Sequence, residues 1–389
     1  MRRYGFVRPG LRALFTTVDA VGDAMRGIVP RRAPGEPRRI LLVNLTHIGD
    51  LLLTTPAIAA LRERYPAAHL TMLVGPWSRE VVEGNPRLDA VSVYRASWWD
   101  RERGTSYFKP GEFGELVRQI RSGSFDAVIN FKSFFQENLA AALAGVPIRI
   151  GYGIYGGGFL HTHEVPFPWN SHTASEHLHL TAALGASAAP RPTEIHPAPE
   201  DHAWAREALA SFSGEWVAIH PGAGIPARRW PLERFRALAE ELYARRGAQV
   251  AWVGGDDDRE RVAEIQKTLR APSLSFAGTG AIRRTAALIA RCAGFVGNDS
   301  GPGHLAAATG VPTLVIFSGT NDMERWKPWG ADVHTLQPLP ENAPSGLADG
   351  IRDHHASMSW ISVEQVANQL MTMLDRSRSG RVDAPASGS

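Results

Sequence analysis

Short apolar runs alternate with helix-like segments in both halves of this chain. In the first half the runs that indicate strands are 39–44, 69–74, 89–94, 125–131 and 147–151. In the second half they are 215–220, 249–253, 292–296 and 312–317. The helices predicted between and after them are 51–65, 116–122, 139–143, 172–184, 201–211, 232–246, 284–292 and 361–374. Runs that are apolar without alternation are typical of parallel strands covered by helices on both faces. The pattern predicts two doubly wound, Rossmann-like α/β domains.

The boundaries follow from shifts in composition along the 389 residues. The predicted segments are a basic amphipathic N-terminal extension (1–37), a first Rossmann-like domain (38–185), an Ala/Pro-rich connector with one short strand (186–214), a second Rossmann-like domain (215–350), a closing helix (351–376) and a disordered tail (377–389). Each half is long enough to bury its own core.

The net charge of +3 is unevenly distributed along the chain. The first 39 residues carry a balance of +6, and the remainder about −3. A basic excess confined to one end argues against a general nucleic-acid surface, so no nucleic-acid partner is expected. The single cysteine, Cys292, excludes a disulfide within the chain and fits a reducing, cytoplasmic compartment.

Residues 1–34 place apolar side chains on one side of a helix, with Asp19 and Asp23 elsewhere around it. No stretch of 18 apolar residues exists, so a spanning helix is not expected. Two interpretations remain open. The helix contacts an anionic membrane surface peripherally, or it packs on its own domain.

The stretch Phe295–Gly310 indicates a strand, a small-residue turn and a helix that begins near Pro302. Unpaired N–H groups and the dipole at a helix N-terminus favour a diphosphate. We expect the turn Asp299-Ser300-Gly301 to hold the diphosphate, with Gly301 allowing close approach to the backbone. Asp299 is then the acceptor for a ribose hydroxyl or a backbone N–H, and His304 in the first turn is a donor to phosphate or sugar. The alternative is a simple helix cap.

Two further turns follow predicted strands, Gly49-Asp50 and Pro221–Gly224. Ligands of doubly wound sheets bind outside the carboxyl ends of the strands. We therefore expect these turns and the Asp299 turn to line a cleft between the domains.

Three blocks together resemble glycosyltransferase family 9, the ADP-heptose:lipopolysaccharide heptosyltransferases. They are THIGDLLLTTPAIAALRERYP (46–66), HPGAGIPARRWPLERF (220–235) and VGNDSGPGHLAAATGVP (296–312). The resemblance implies a GT-B fold, in which two Rossmann-like domains face each other across a cleft. It also implies inverting, metal-independent transfer of heptose from ADP-heptose to an inner-core sugar of a lipid-linked acceptor, with no cofactor.

The resemblance assigns the catalytic base to Asp50, which matches the family's G-D motif. Gly49 then leaves space for a bulky sugar. His47 orients Asp50 or lines the acceptor pocket, and it is the alternative candidate for the base. A helix N-terminus favours the ionised carboxylate, so proton transfer must be late and concerted with displacement. The alternative is that Asp50 only caps a helix.

The family's second block places a cation at the leaving diphosphate. Arg228 stands where the family usually has lysine, and Arg229 is its neighbour. A guanidinium binds two phosphate oxygens at once. The backbone of Gly222, Ala223 and Gly224 adds N–H donors. The alternative is a solvated arginine pair.

Asp257 follows a predicted strand and is the candidate for the ribose hydroxyls. The run Asp256-Asp257-Asp258 looks like a metal-binding motif, but solvated acids are the better interpretation, and no metal is expected. On the acceptor side, Lys132 and Ser133 follow strand 125–131.

The sequence leaves several other functions open. They are a GT-B transferase that uses another nucleotide sugar or a protein acceptor, a sugar-nucleotide epimerase, and an inactive nucleotide-binding protein.

Overall fold

The computed structural model describes residues 9–25, 35–100, 109–338 and 357–382. The chain divides into two compact units, Met1–Arg191 and Pro192–Ser389. The division falls within the predicted connector. Each unit contains a six-stranded parallel sheet, so the prediction of two Rossmann-like domains is confirmed.

The first unit holds strands β1–β6 and helices α1–α7. The strands are β1 (Arg39–Asn44), β2 (His69–Val74), β3 (Ala90–Val93), β4 (Ala127–Asn130), β5 (Ile148–Tyr152) and β6 (His163–Val165). The helices are α1 (Pro9–Met25), α2 (Ile48–Leu52), α3 (Thr55–Arg64), α4 (Arg79–Val82), α5 (Pro110–Ser122), α6 (Phe135–Leu143) and α7 (Thr173–Ala182). The strand order is β3-β2-β1-β4-β5-β6. The chain therefore reverses its direction of winding between β1 and β4.

The second unit repeats this topology. Its strands are β7 (Trp216–His220), β8 (Gln249–Trp252), β9 (Ser273–Ser275), β10 (Gly294–Asn298), β11 (Thr313–Ile316) and β12 (Val333–Leu336). Its helices are α8 (Pro199–Ala208), α9 (Leu232–Arg246), α10 (Arg259–Gln266), α11 (Ile282–Ile289), α12 (Gly301–Thr309), α13 (Met323–Trp326) and α14 (Val363–Val382). The order β12-β11-β10-β7-β8-β9 places the winding reversal between β7 and β10.

The central strands are buried along almost their whole length, as their apolar sequences predict. In β1 the residues from Ile40 to Asn44 are all buried, and β7, β8, β10 and β11 are buried throughout. Helices cover both faces of each sheet, so such strands have no solvent face to mark with polar residues.

The errors of the sequence prediction concentrate at the sheet edges and at element ends. β6, β9 and β12 were not predicted because they are three or four residues long and only partly buried, so they lack an apolar run. The short strand expected in 186–199 is absent from that fully described segment. Cys292 is buried, but it precedes β10 although the predicted strand 292–296 included it.

The predicted disordered tail is wrong for residues 377–382, because α14 continues to Val382. Arg378 forms an ion pair with Glu215, with 2.6 Å between Nη2 and Oε2. Ser379 Oγ donates to the Asp375 carbonyl at 3.1 Å. These contacts extend the helix into a Ser/Gly-containing sequence. Residues 383–389 lie outside the described residues.

One side of α1 packs on the first unit. Phe15 lies 5.2 Å from Phe135 between ring centroids. Asp19, expected on the polar side of the helix, is buried and accepts from the Gly157 N–H at 2.8 Å. A Cβ on the preceding Gly156 would lie 2.2 Å from the Phe15 ring, so this turn packs closely against α1. Packing on its own domain is therefore confirmed for the described part of the extension.

None of the helices in the described ranges combines the length and the apolar character that crossing a membrane requires.

Candidate active site

Asp50 and Lys132 form an ion pair at the carboxyl end of the first sheet. Asp50 lies in the first turn of α2, which follows β1, and Lys132 follows β4. β1 and β4 are hydrogen-bonded neighbours. Lys132 Nζ lies 2.7 Å from Asp50 Oδ1, and both side chains are partly buried. The pair therefore occupies the winding reversal, where doubly wound sheets bind ligands.

A buried polar network holds α2 in place beneath this pair. Asn44 Nδ2 donates to Thr54 Oγ1 at 2.8 Å, and Thr54 Oγ1 donates to the Asp50 carbonyl at 3.1 Å. His177 Nδ1 lies 3.1 Å from the Leu53 carbonyl. Burial, together with the charge of Lys132, lowers the pKa of His177 to about 3. His177 is therefore neutral, with Nδ1 as the donor to Leu53.

Ser133 shapes the turn that presents Lys132. Its φ of 56° is left-handed, which is uncommon for a residue other than glycine. Its Oγ donates to the Asn130 carbonyl at 2.7 Å and accepts from the Tyr152 N–H at 2.8 Å. Ser133 is fully buried. The prediction that it faces the acceptor is wrong, because this position of a tight turn points its side chain into the protein.

His47 and Gly49 lie on either side of the start of α2. His47 is the residue before the helix, and its ring centroid lies 5.8 Å from Trp77 and 6.3 Å from Trp99. Gly49 is partly buried within the helix. His47 therefore borders an aromatic surface beside Asp50.

Asn298 ties together the two loops at the winding reversal of the second sheet. It is fully buried at the end of β10. Its Nδ2 donates to the Pro221 and Gly222 carbonyls at 2.9 and 3.2 Å, and its Oδ1 accepts from the Trp230 N–H at 2.9 Å. The loop after β7 is thus fixed against β10.

Arg228 and Asp299 meet at this end of the second sheet, with 3.2 Å between Nη1 and Oδ2. Arg228 also donates to Thr320 Oγ1 at 3.0 Å and to Asn321 Oδ1 at 2.7 Å. Asn321 donates back to Asp299 at 2.8 Å. Burial raises the pKa of Asp299, although Arg228 and Asn321 act in the opposite direction. The contacts with Asp299, Thr320 and Asn321 together hold the guanidinium of Arg228 in a fixed orientation.

His220 connects Ser300 to a buried carboxyl group. Its Nδ1 lies 2.9 Å from Ser300 Oγ, and its Nε2 lies 3.0 Å from Asp258 Oδ2. Burial raises the pKa of Asp258, but hydrogen bonds from His220 and Gly255 bring it below its usual value. Asp258 is buried, so the interpretation of the three acids as a solvated run is wrong at this position.

Gly222 is required by the packing around Asp258. A Cβ at Gly222 would lie 1.8 Å from Asp258 Oδ1, which no rearrangement of a buried carboxyl easily relieves. Glycine at this position therefore has a structural reason besides close approach of a ligand.

The remaining predicted donor residues lie around the same end of the sheet. Asp257 and Gly224 are exposed. Arg229 Nε donates to the Ala223 carbonyl at 2.9 Å and so holds the loop after β7. Gly301 begins α12, and His304 is buried in its first turn.

No cluster of three or more His, Cys, Asp or Glu side chains arranged to hold a metal ion occurs in the described ranges.

The structure thus brings Asp50 and Lys132 together in one unit, and Arg228, Asp299 and Ser300 in the other. Sequence reasoning gave no supporting role to the polar residues around them. These are the buried Asn44, His177, His220, Asp258 and Asn298 and the partly buried Asn321. Asn44, His220 and Asn298 could have been found, because each is a polar residue at the buried end of an apolar strand, where polar side chains are uncommon.

Two Rossmann-like units with charged and amide groups at both winding reversals are typical of the GT-B class of glycosyltransferase. The family model for glycosyltransferase family 9 (heptosyltransferase) matches residues 113–345, and the chain belongs to this family. It is a glycosyltransferase.

Known proteins resemble the chain over most of its length. It is 27% identical to lipopolysaccharide heptosyltransferase 3 of Escherichia coli over 295 residues, which are 73% of this chain and 84% of the relative. A family 9 glycosyltransferase from Veillonella parvula superimposes with a TM-score of 0.75 at 24% identity, covering 87% of this chain and 97% of the other. The E. coli ADP-heptose LPS heptosyltransferase II gives a TM-score of 0.70 at 22% identity, with coverages of 87% and 99%.

Proposed function

We propose that this protein transfers heptose from ADP-heptose to an inner-core sugar of a lipopolysaccharide-type, lipid-linked acceptor. Family membership supports heptosyl transfer, and the similar E. coli proteins are a lipopolysaccharide heptosyltransferase and an ADP-heptose LPS heptosyltransferase. The observation that carries the proposal is the Asp50–Lys132 pair at the winding reversal of the first sheet.

On the acceptor side, Asp50 is the general base. Its carboxylate takes the proton of an acceptor hydroxyl as the oxygen attacks the anomeric carbon. Lys132 donates to Oδ1 at 2.7 Å, and its positive charge favours the ionised carboxylate that a base requires. The Asn44–Thr54 network fixes α2 and prevents the base from drifting from the attacking hydroxyl.

On the donor side, the diphosphate lies at the N-terminus of α12. Backbone N–H groups of Gly301 and the following residues meet the phosphate oxygens, where the helix dipole favours negative charge. Arg228 stabilises the charge that builds on the leaving ADP. Asp257, which is exposed, accepts from the ribose hydroxyls.

This division of roles predicts inversion at the anomeric carbon, because the hydroxyl attacks opposite the departing diphosphate in one displacement. In this proposal Arg228 and the backbone N–H groups at the start of α12 stabilise the leaving diphosphate. The proposed reaction therefore uses no metal ion and no cofactor.

The proposed location is cytoplasmic, with peripheral contact to the inner face of the membrane through residues 1–34. This segment carries seven arginines. Although α1 packs on the first unit, its Leu14 and Val21 are exposed. Replacing Arg2, Arg3, Arg8, Arg31 and Arg32 by Gln should reduce co-sedimentation with anionic vesicles while activity on a soluble acceptor is kept. Equal pelleting of both forms would exclude this part of the proposal.

The donor is tested by thermal stabilisation with ADP-, UDP- and GDP-sugars, followed by product analysis with ADP-heptose and a deacylated core oligosaccharide. We expect ADP-heptose to stabilise most and heptose to appear on the oligosaccharide. Stabilisation by a UDP- or GDP-sugar alone, with no heptosylated product, would overturn the assignment.

A further inference from the structure

A continuous row of partly exposed rings borders the Asp50–Lys132 pair in the first unit. This aromatic row consists of His47, Trp77, Trp99, Phe134 and Tyr155. The Trp99 and Phe134 centroids are 4.8 Å apart, edge to face, and Phe134 stacks on Tyr155 at 4.7 Å with 17° between the planes. Trp77 and Trp99 both contact the ring of His47.

Chain connectivity places the aromatic row next to the reacting groups. His47 immediately precedes α2, whose third residue is Asp50. Phe134 follows Lys132 by two residues, just before α6. The row thus runs along the same end of the sheet as the ion pair and passes both of its members.

A buried carboxyl group fixes the orientation of the indole in this row. Glu137 Oε1 accepts from Trp99 Nε1 at 3.1 Å and from Trp98 Nε1 at 3.3 Å. Glu137 is 3% exposed and forms no ion pair within the described ranges. Burial raises the pKa of its carboxyl group, and the hydrogen bonds from Trp99 and Trp98 offset this only in part.

Burying a carboxyl group that forms no ion pair costs free energy. Packing of α6 alone therefore does not explain a glutamate at position 137. An apolar side chain at position 137 would pack α6 at lower cost. What the carboxyl adds is a defined direction for both indoles. Trp98 turns toward Tyr94, at 6.0 Å, while Trp99 joins the row.

We propose that the aromatic row binds the pyranose rings of the acceptor saccharide, and that Glu137 is a positioning residue that holds Trp99 for this contact. This inference rests on the proposed function, because it takes Asp50 as the group that receives the acceptor proton. A pyranose presents C–H groups on its face, which pack on aromatic rings, and hydroxyls at its rim, which require polar neighbours. The aromatic row supplies the rings for the C–H face. Asp50, Lys132 and the ring nitrogens of His47 supply polar groups for the hydroxyls.

The test measures saccharide binding separately from turnover in the full-length chain. The probe is a deacylated core oligosaccharide, and the readouts are quenching of tryptophan fluorescence and the KM values for acceptor and for ADP-heptose. The variants are Trp99→Ala, Trp99→Phe and Glu137→Gln. The matched control is Trp204→Phe, a partly buried tryptophan of the second unit that packs on Phe276.

We expect Trp99→Ala to raise the acceptor KM roughly tenfold, equivalent to about 1.4 kcal/mol, with kcat and ADP affinity little changed. Trp99→Phe and Glu137→Gln should raise it less, and Trp204→Phe not at all. Unchanged acceptor KM and unchanged quenching in Trp99→Ala, with ADP still bound, would overturn the inference.

Failure of the proposed function gives a different result. If the wild type quenches with oligosaccharide in a Trp99-dependent way but transfers no heptose, the row stands as a saccharide site and the donor assignment fails. If heptose is transferred normally by all three variants, the transferase assignment stands and the row is excluded.

Discussion

Lys132 Nζ and Asp50 Oδ1 lie 2.7 Å apart although the two residues are separated by 82 positions in the chain. They meet because β1 and β4 are adjacent and both side chains follow the carboxyl ends of their strands. The same rule of topology places Arg228 and Asp299 together in the second unit, after β7 and β10.

Replacing Lys132 by Met should slow transfer by about tenfold to a hundredfold, the value of a lost charge-assisted hydrogen bond. ADP affinity should not change, because Lys132 lies in the first unit and the assigned nucleotide site in the second. Steady-state kinetics and calorimetry measure the two effects. Lys109→Met, which removes a surface lysine paired with Glu112 in the same unit, is the control. Equal kinetics of the two variants would show that the ion pair between Lys132 and Asp50 has no role in catalysis.

Replacing Arg228 by Gln should weaken ADP binding and turnover together, each by about tenfold to a hundredfold. The reason is that the guanidinium is assigned to the same phosphate oxygens in the bound and reacting states. Calorimetry with ADP reads the first effect. Arg245→Gln removes an arginine from the surface of α9 and should leave both quantities unchanged. An unaltered ADP affinity in Arg228→Gln would refute the assignment.

Two substitutions of His220 separate its two hydrogen bonds. Gln places its amide near the Nε2 position and keeps the contact with Asp258, whereas Asn mimics Nδ1 and keeps the contact with Ser300. We expect His220→Gln to weaken ADP binding several-fold with little loss of stability. His220→Asn should mainly lower the free energy of unfolding, because it removes the donor that pairs with a buried carboxylate. The opposite pattern would mean that the hydrogen bond between His220 and Ser300 does not order the turn before α12, where the diphosphate is assigned.

His177 should make the first unit sensitive to acid. Its pKa is about 3 in the folded chain against 6.5 ordinarily, so the unfolded state binds the proton more readily. The folded state therefore loses stability as the pH falls from about 6.5 toward about 3, by at most about 1.4 kcal/mol per pH unit. His177→Asn, which retains a donor near Nδ1, should flatten the dependence seen in urea unfolding. His179→Asn, an exposed histidine on the same helix, should not. Parallel curves for the wild type and His177→Asn would contradict the account.

The fold was predictable for elements whose apolar pattern and terminal Pro or Gly residues lie within the element's own sequence. Helix α9 matches the prediction at both ends, since Pro231 precedes it and Gly247 ends it with a left-handed φ of 68°. The edge strands β9 and β12 were not predictable in this way. They form because a neighbouring strand, distant in the chain, offers unpaired backbone hydrogen-bonding groups. The residues of the edge strand itself do not indicate this pairing.

The site was predictable residue by residue, but not as a set of contacts. Asp50 and Lys132 were both named, yet nothing in either segment indicates that they pair. His220 resembles a core residue at the end of an apolar strand, and its partners Asp258 and Ser300 come from loops 38 and 80 residues away. Ser133 was assigned to the acceptor side because the sequence does not reveal a left-handed turn.

The direct test of the account is heptose transfer by Asp50→Asn, with ADP affinity measured on the same preparation. Removing a general base should reduce transfer by about 10²- to 10⁴-fold. ADP should bind as it does to the wild type, and Glu115→Gln, an exposed acid of α5, should transfer normally. Transfer by Asp50→Asn near the wild-type rate would show that another group takes the acceptor proton, and the central claim would be wrong.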